Sequence, residues 1–376
     1  MPTGIRRGLA VAVASVVVLA AGCNGRTASA GHRQGASATS TAIGAGHACV
    51  VAGSGAPRVS WNGLRNPILS DATAGEKDQA LVWAMGRWHM LFSYVTNDVP
   101  VPGGEHWNIA VASSSDLVHW TAPTPWPAQP GVVGVASPDI VRSPSGLFVS
   151  TYDSGPGELG GGQAKLYYRT SADLETWSLP RPLALGLHPG PGDRLIDPAL
   201  AWTGSGLILG YKYGAVSNST SQHFEIAWSP TGSLDGPWTL VGRPDIVVYG
   251  DTLENYEFLT IAGHWRVVAT SNRFDQPWMF DLGGGDPSSP SSWLHWVRGA
   301  MLRFPSQSWD SGAGISSVGY EHANSVFLCD ARAATGYYFA TYSGSRELSH
   351  FGGWGHAQIG IARSTDLVHW TVPPAG

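Results

Sequence analysis

Charged residues and cysteines are scarce in this sequence, and basic runs are missing altogether. Asp, Glu, Lys and Arg make up only 13% of the 376 residues and the formal net charge is −5, so a nucleic-acid partner is not expected. The three cysteines show no zinc-binding spacing. No segment carries the apolar stripe of an amphipathic helix. These absences favour a strand-rich fold and argue against nucleic-acid binding.

The longest apolar run lies close to the N-terminus. Arg6 and Arg7 precede LAVAVASVVVLAA (9–21), an arrangement typical of a signal peptide and too short for a membrane-spanning helix. The run ends in LAAGC, which resembles a bacterial lipobox with Cys23 as the lipidated residue. We therefore expect residues 1–22 to be a lipoprotein-type signal peptide, with an ordinary cleaved signal peptide as the alternative. Either way the protein is expected outside the cytoplasm, lipid-anchored at the cell membrane or secreted.

The rest of the chain divides into a linker and one domain. Residues 23–45 are mostly small and polar, with little to bury, which predicts a flexible linker. No Pro- or Ser-rich break interrupts residues 46–376, so we expect a single domain there. Cys49 and Cys329 lie near the two ends of that domain. In an oxidising compartment they could form a disulfide, and a buried free thiol near either end is the alternative.

A repeat of about 60 residues runs through the domain. ASSSDLVHWT (112–121) returns as ARSTDLVHWT (362–371), and related stretches that end in tryptophan lie between them. The final tryptophans of the five copies are separated by 57, 61, 58 and 74 residues. This spacing is too long for a solenoid repeat of roughly 20–45 residues. The five residues are Trp120, Trp177, Trp238, Trp296 and Trp370.

Each repeat has the same internal order of strand signals. An apolar strand is followed by a glycine-containing turn, an aromatic-rich strand and a third strand that ends in an Asp-Leu-x-x-Trp turn. Five such units predict an all-β protein with the five-bladed β-propeller fold. A β-sandwich is the alternative, but it does not account for the repeat. We expect VSWNGL (59–64) to pair with the last blade and the disulfide to staple this closure.

In a propeller the first strand of each blade lines the central channel, and ionisable residues recur at the starts of these strands. Taken singly, each acidic residue could merely cap a turn. Together they would converge on one funnel, where like charges raise at least one carboxyl pKa. Hydrolysis of a glycosidic bond requires one protonated carboxyl group and one carboxylate. The candidates are Asp78, Asp139, Asp197, Glu254 or Glu257, and His322.

These residues resemble those of glycoside hydrolase family 43, five-bladed propeller enzymes that act on arabinose- and xylose-containing glycans. The similarity spans residues 58–376. It implies that Asp78 is the general base, although Gln79 stands where proline is usual. It also implies that Asp197, in the stretch LIDPALAW, modulates the pKa of the acid and orients the substrate.

The general acid is the part of this resemblance that stays open. The family's Glu-Gly-Pro motif is missing, and Glu254 and Glu257 are both candidates. The distance along the chain to the turn at Gly263 favours Glu254, whereas EFLTI can be placed on the family pattern from Glu257. The resemblance implies an inverting reaction, in which Asp78 activates water and the glutamate protonates the leaving oxygen. Asp197 would raise the pKa of that glutamate by like-charge repulsion.

Aromatic residues are abundant and suit a carbohydrate ligand. Most of the 17 tryptophans are expected in the core, yet some could stack on sugar rings. The stretches SPDI and EHANS resemble family elements in blades two and five and add two candidates for substrate binding. The candidates for substrate binding are Asp139, His322, Trp107, Trp278 and Trp354. No cofactor is expected, apart from a structural cation considered near His322.

The expected partner is a polysaccharide or an oligosaccharide, and the expected state is a monomer whose only membrane contact is the lipid. Competing interpretations are a non-catalytic carbohydrate-binding propeller lipoprotein, a fructan hydrolase or sialidase, and a purely structural envelope lipoprotein. The missing Glu-Gly-Pro motif favours the first of these. Five repeats, rather than six, argue against a sialidase, and so does the absence of the glycine of the sialidase Asp-box.

Overall fold

In the part of the chain that the structure describes, twenty strands form five antiparallel sheets of four strands each, and every sheet takes its strands in chain order. The structure, a computed structural model, describes residues 49–97, 105–154, 165–188, 193–215, 222–246, 248, 253–271, 276–310, 323–345 and 357–376. Each sheet is therefore a meander of neighbouring strands, as in a propeller blade. The five-bladed β-propeller expected from the repeat is confirmed.

The strand bounds show the same pattern in each blade. Blade one consists of β1 (Ala74–Ala84), β2 (Arg87–Asn97), β3 (Glu105–Ser114) and β4 (Thr124–Pro125). Blade two consists of β5 (Val135–Arg142), β6 (Phe148–Ser154), β7 (Leu166–Ser171) and β8 (Arg181–Pro182). Blade three consists of β9 (Asp193–Thr203), β10 (Gly206–Ala215), β11 (His223–Ser229) and β12 (Thr239–Gly242). Blade four consists of β13 (Leu253–Ile261), β14 (His264–Ser271), β15 (Gln276–Leu282) and β16 (Trp296–Met301). Blade five consists of β17 (Asn324–Asp330), β18 (Tyr338–Gly344), β19 (Gln358–Ser364) and β20 (Trp370–Thr371), with a short helix α1 (Arg332–Thr335) between its first two strands.

The first strands contact one another in a closed ring. β1 packs against β5, β5 against β9, β9 against β13, β13 against β17, and β17 against β1. This arrangement places one strand from each blade beside a central channel. Side chains at corresponding positions of these five strands therefore meet, although they lie far apart along the chain.

The ring closes between blades one and five through a short segment that precedes β1. Asn66 forms a parallel bridge to Ala375, and Leu69 forms an antiparallel bridge to Ile359 of β19. The Asn66 side chain donates to the Ile361 carbonyl at 3.0 Å and accepts from the Ile361 amide at 2.9 Å. Both ends of the domain are thus attached to the same blade.

The segment 59–64, expected to close the ring, does not pair with the last blade. It contains a 3₁₀ turn at Trp61–Gly63, and the Trp61 ring lies on blade five with its centroid 6.4 Å from that of Phe339. The expected pairing is wrong because the backbone turns here before it reaches the sheet edge. The contact with blade five is made by a side chain instead.

Gln79 provides a further link between blades one and five. Its side-chain nitrogen donates to the Ser325 carbonyl, and its side-chain oxygen accepts from the Ser343 hydroxyl at 2.9 Å. Proline, which the family resemblance places here, has no side-chain donor. This departure from the family pattern is therefore explained by the closure of the ring.

A disulfide also joins these two blades. Cys49 and Cys329 are bonded, with 5.3 Å between their Cα atoms and a sequence separation of 280 residues. The Cys49 carbonyl accepts the Trp83 amide at 2.6 Å, which attaches this cysteine to β1. Cys329 lies in β17, so the disulfide staples the closure as expected, and neither cysteine is a free thiol.

The Asp-Leu-x-x-Trp repeat forms the same hydrogen-bonded turn wherever it occurs. In blade one the Ser114 hydroxyl accepts the Leu117 amide at 2.9 Å, and Leu117 adopts a left-handed φ of 67°. Asp116 accepts the Val118 amide at 2.9 Å. In all five blades the indole N–H of the final tryptophan donates to a carbonyl three or four residues earlier, at 2.7–3.2 Å. The repeat is therefore a structural turn that leads from the third strand toward the fourth.

Aromatic side chains fill the space between the sheets. At least nine of the 17 tryptophans are buried, so the core role expected for most of them holds. Trp83 and Trp88 are fully buried and meet edge to face with ring centroids 5.3 Å apart. Trp293 packs on Phe258 in blade four in the same way, at 5.0 Å. Such pairs add stability beyond the burial of their area.

The N-terminal predictions fall on residues that the structure does not describe. The signal peptide 1–22, the lipidated Cys23 and the linker 23–45 lie outside the described ranges, and they stay predictions. Among the described residues no helix is long and apolar enough to cross a membrane.

Loss of the disulfide should destabilise the ring. Because the bond closes a loop of 280 residues, we expect Cys49→Ser to lower the free energy of unfolding by about 2–5 kcal/mol. Chemical denaturation of wild type, C49S, C329S and the double variant measures this. The double variant should be no less stable than either single variant, and reductant should not affect it. Additive losses in the double variant would show that the cysteines stabilise the fold by packing and not through their bond.

Glu76 is a buried carboxyl group at the interface between blades one and five. It is fully buried, and its backbone amide donates to the Ala357 carbonyl at 2.7 Å. Within the described part of the chain neither of its carboxyl oxygens has a hydrogen-bond partner. Burial, and then the charge of Asp71, raise its pKa from 4.5 to about 8. The folded protein therefore holds a proton here that the unfolded chain releases at lower pH.

This proton makes stability depend on pH. Since Glu76 is protonated in the folded state up to about pH 8 and in the unfolded chain only to about pH 4.5, its contribution is full below pH 4.5 and is lost as the pH rises toward 8. We expect Glu76→Gln to match the wild type near pH 4.5 and to exceed it by about 3–5 kcal/mol near pH 8. Denaturation curves across this range, with the exposed Glu175→Gln as control, test the difference. A constant difference between E76Q and wild type would contradict the assignment.

Candidate active site

A β-bulge interrupts the first strand of every blade at the same place. The register shifts by one residue in each pairing of a first strand with its second strand. At each bulge one residue adopts a left-handed backbone, with φ between 51° and 55°. Because a bulge re-aims the side chains of its strand, these residues line one cavity in the channel. They are Asp78, Ser137, Asp197, Asn255 and Ser325.

Asp78 is held by donors from three blades. The Ser93 hydroxyl donates to its Oδ2 at 2.7 Å, and the Asn255 side chain donates to its Oδ1 at 3.0 Å. The Ser325 hydroxyl donates to Oδ1 as well, and the Lys77 ammonium lies 3.3 Å from this oxygen. These contacts fix the buried carboxyl group in one orientation.

Asn255 connects Asp78 with Asp197. Its side chain reaches Asp78, and its backbone amide donates to Asp197 Oδ2 at 3.2 Å. Asp197 is only 5% exposed. Burial, and then the charge of Glu254, raise the pKa of Asp197 above its ordinary value. Carboxyl groups of blades one and three are thereby brought to one point by a residue of blade four.

Glu254 directly precedes this bulge residue and forms an ion pair with Lys212 of β10. The Lys212 Nζ and Glu254 Oε2 atoms are 2.8 Å apart, and the side chains are 3% and 18% exposed. Burial by itself would raise the pKa of Glu254, but Lys212 and Lys77 outweigh it and lower the pKa. The pKa of Glu254 is therefore lowered and not raised, contrary to the expectation for the acid. The charge repulsion between Glu254 and Asp197 contributes to the raised pKa of Asp197.

Glu257, the other candidate acid, lies deeper. It is 2% exposed, and its Oε2 accepts the Leu328 amide at 2.7 Å. Burial raises its pKa well above the ordinary value. Asp139 has the corresponding position in blade two, is 6% exposed and accepts the Ile140 amide at 2.8 Å.

The predicted acidic residues therefore occupy three levels of the channel. Asp78 and Asp197 stand at the bulge, Glu254 one residue before it, and Asp139 and Glu257 two residues after it. The sequence suggested one common level because nothing in it marks the extra residue that a bulge inserts.

The bulge also shows where the family's Glu-Gly-Pro motif, which is missing here, would align with this sequence. In blades two and three the left-handed residue is followed by Pro138 and Pro198. If proline of the motif is placed in that position, its glycine falls on Asn255 and its glutamate on Glu254. Glycine and asparagine both tolerate a left-handed backbone. This alignment favours Glu254 over Glu257.

A small cavity of about 30 Å³ lies among these residues, bordered by Asp78, Asp139, Asp197, Asn255 and Glu257. It is large enough for one or two water molecules. Its lining combines carboxyl and amide groups, which suit bound water.

A larger cavity of about 380 Å³ lies in blade one and the loop that follows it, lined by Tyr94, Trp107, Asn108 and Gln129. The Lys77 ammonium lies 5.6 Å from the centre of the Trp107 ring. Since Lys77 also contacts Asp78, a single side chain connects Trp107 with this carboxyl group. Of the predicted stacking residues, Trp107 is thus placed near the site.

Trp278, another of the predicted stacking residues, is not brought to the carboxylates. Trp278 lies in β15, the third strand of blade four, and its ring packs on Phe280 with centroids 6.3 Å apart. His322 and Trp354 lie outside the described residues. In the described ranges no group of three His, Cys, Asp or Glu side chains is arranged to hold a metal ion. The structural cation considered near His322 therefore stays a prediction.

Sequence reasoning missed four residues of the site: Lys77, Asp153, Lys212 and Asn255. Asp153 of β6 is 1% exposed and accepts the Asp197 amide at 3.2 Å. Burial, and then the charge of Asp197, raise the pKa of Asp153 well above its ordinary value. Lys77 and Asn255 adjoin predicted residues and could have been found from that. Asp153 and Lys212 lie on second strands. Whether a side chain of a second strand faces the site depends on how the blades pack against one another.

Solved structures of glycoside hydrolases share this fold. An α-L-arabinofuranosidase from Lactobacillus brevis is 12% identical, with a TM-score of 0.58 over 85% of this chain and 99% of its own. The catalytic domain of a family 62 α-L-arabinofuranosidase from Coprinopsis cinerea is 15% identical, with a TM-score of 0.55 over 83% and 98%. A thermostable family 43 glycoside hydrolase is 14% identical, with a TM-score of 0.51 over 82% and 95%. No family model matches the sequence, and neither does any curated protein. At these identities the similarity shows the fold.

The left-handed backbone of Asn255 can be tested by substitution. Both Asn255→Gly and Asn255→Val remove the hydrogen bond to Asp78, but only valine is strained at a φ of 51°. We expect N255V to be less stable than N255G by about 1–3 kcal/mol. Urea denaturation of the two variants gives this difference. Equal stability would show that the bulge is not held in the left-handed conformation.

Proposed function

We propose that the protein is a glycoside hydrolase that cleaves arabinose- or xylose-containing glycans by an inverting, two-carboxylate mechanism. The observation that carries the proposal is the junction at Asn255, whose side chain and amide bind Asp78 and Asp197 and which directly follows Glu254. Three carboxyl groups from three blades thus converge on the channel. The shared fold with arabinofuranosidases supports the substrate class.

Asp78 is the general base in this proposal. Its carboxyl group is fixed by Ser93, Asn255 and Ser325, and it borders the water-sized cavity. A water molecule there can lose a proton to Asp78 while it attacks the anomeric carbon. The same hydrogen bonds keep Asp78 from rotating away during the reaction.

Glu254 is the general acid. It precedes the bulge, and its side chain is 18% exposed, so a leaving oxygen can reach it, whereas Glu257 is buried against Leu328. Asp197 lies beside the acid and orients the substrate, and its pKa is raised by burial and by the charge of Glu254. Trp107 borders the 380 Å³ cavity and offers a ring for a further sugar to stack on.

We further propose where the protein is located and what it acts on. The protein is exported and held at the membrane by a lipid on Cys23, as the N-terminal sequence predicts. It acts as a monomer on a polysaccharide or an oligosaccharide and uses no metal ion in the reaction.

Substitution of the two carboxyl groups tests the mechanism. We expect Asp78→Asn to lower kcat/KM by about 10²–10⁴-fold on arabinofuranosides or xylosides, because the attacking water loses its base. We expect Glu254→Gln to cause a similar loss with an alkyl leaving group and a much smaller loss with an activated aryl leaving group, which needs less protonation. Steady-state kinetics on both substrate types, with Glu175→Gln as control, gives the answer. NMR of the first-formed anomer tests inversion.

Other outcomes separate the alternatives. If Glu257→Gln, and not E254Q, showed the dependence on the leaving group, the acid would be Glu257. A wild-type protein that binds arabinan or xylan without turnover would instead support a carbohydrate-binding propeller. The ion pair of Lys212 with Glu254 is the observation that favours this second candidate.

A further inference from the structure

The second strands of three blades carry the same hydrogen bond, which ties the bulge of the next blade to them. Ser93 of β2 accepts the amide of Ser137 at 2.9 Å. Asp153 of β6 accepts the amide of Asp197 at 3.2 Å, and Thr270 of β14 accepts the amide of Ser325 at 3.0 Å. Each acceptor pairs with the residue just before the bulge of its own blade. We call the position of the acceptor on the second strand, opposite the residue just before the bulge, the staple position.

Blade three departs from this pattern. Its staple position, opposite Ile196 in the pairing of β9 with β10, is occupied by Lys212. A lysine ammonium has no acceptor, so the amide of Asn255 in the next blade binds Asp197 Oδ2 instead, at 3.2 Å. The Lys212 ammonium turns to Glu254 Oε2, 2.8 Å away. One substitution at a structural position thus alters the hydrogen bonding of two of the three proposed catalytic carboxyl groups.

The surroundings of Glu254 make Lys212 its closest charged partner. Lys77 faces it from β1, Asp197 faces it from β9, and Asn324 of β17 donates to its carboxylate. The Lys212 side chain is only 3% exposed, so its charge is poorly screened by solvent. The combined effect of Lys212 and Lys77 outweighs burial and lowers the pKa of Glu254.

We propose that Lys212 is a positioning residue that holds Glu254 as a carboxylate and thereby confines the proposed hydrolysis to acidic pH. This inference rests on the proposed function for its kinetic consequence alone. A general acid must carry a proton, so a lysine that favours the carboxylate moves the alkaline limit of activity downward. The ionisation of Glu254 can be measured without any activity.

Carboxyl-carbon NMR of the full-length protein labelled at glutamate gives that measurement. The signal that disappears in Glu254→Gln belongs to Glu254. We expect it to titrate at least one pH unit higher in Lys212→Met than in wild type, and to stay near the wild-type value in Lys212→Arg. Lys165→Met, at an exposed lysine, is the matched control and should leave the titration unchanged.

The kinetic arm uses the same variants. In K212M the alkaline limb of the kcat/KM profile should move up by at least one pH unit, which is a gain of tenfold or more at a pH on that limb. Lys212→Thr restores the acceptor that Thr270 provides in blade four. Because it also removes the charge, we expect it to shift the Glu254 titration and the alkaline limb as K212M does. It replaces K212M in both measurements if K212M does not fold. An unchanged Glu254 titration in both K212M and K212T would overturn the proposal. A shifted titration in a protein without hydrolase activity would support the role of Lys212 and reject the proposed function.

Discussion

Closure of the ring between blades one and five is the constraint on which the site depends. Asp78 belongs to blade one, yet its carboxyl group is oriented by Ser325 of blade five and Asn255 of blade four. If blade one separated from blade five, Asp78 would lose the Ser325 hydrogen bond. The disulfide, the Asn66 bridge and Gln79 all act at this junction. Stability and the geometry of the site are therefore coupled through the same interface.

Charge balance is the second determinant of the site. Several buried carboxyl groups within one channel would repel one another and lose hydration, and two buried lysines offset part of that cost. The lysines do not affect all carboxyl groups equally. They lower the pKa of Glu254, whereas the pKa of Asp197 is raised by burial and by the charge of Glu254. Asp153 lies next to Asp197 and has a raised pKa as well. The site thus contains neighbouring carboxyl groups with different affinities for protons, a condition for acid–base chemistry.

A repeated scaffold with a few local changes produces this arrangement. Every blade has the hydrogen bond from its final tryptophan indole to a nearby carbonyl and the same left-handed bulge. Three blades share the hydrogen bond at the staple position. At equivalent places the blades differ in their ionisable side chains. Aspartate occupies the bulge in blades one and three, and lysine occupies the staple position in blade three. Such changes cost little in stability as long as each altered group finds a partner.

The sequence alone determined the number of blades and the order of strands, because the tryptophan turn and the alternation of apolar and turn residues are local signals. It also led to Asp78 and Asp197, and to Glu254 or Glu257 as alternatives. Only the tertiary structure decided the levels at which these residues stand, since a β-bulge shifts the register by one residue without a sequence mark. The partners Lys212 and Asp153 were likewise decided there, because they reach the site across the contact between blades. A contact of that kind depends on how separate sheets stack, and no pattern within one strand encodes it.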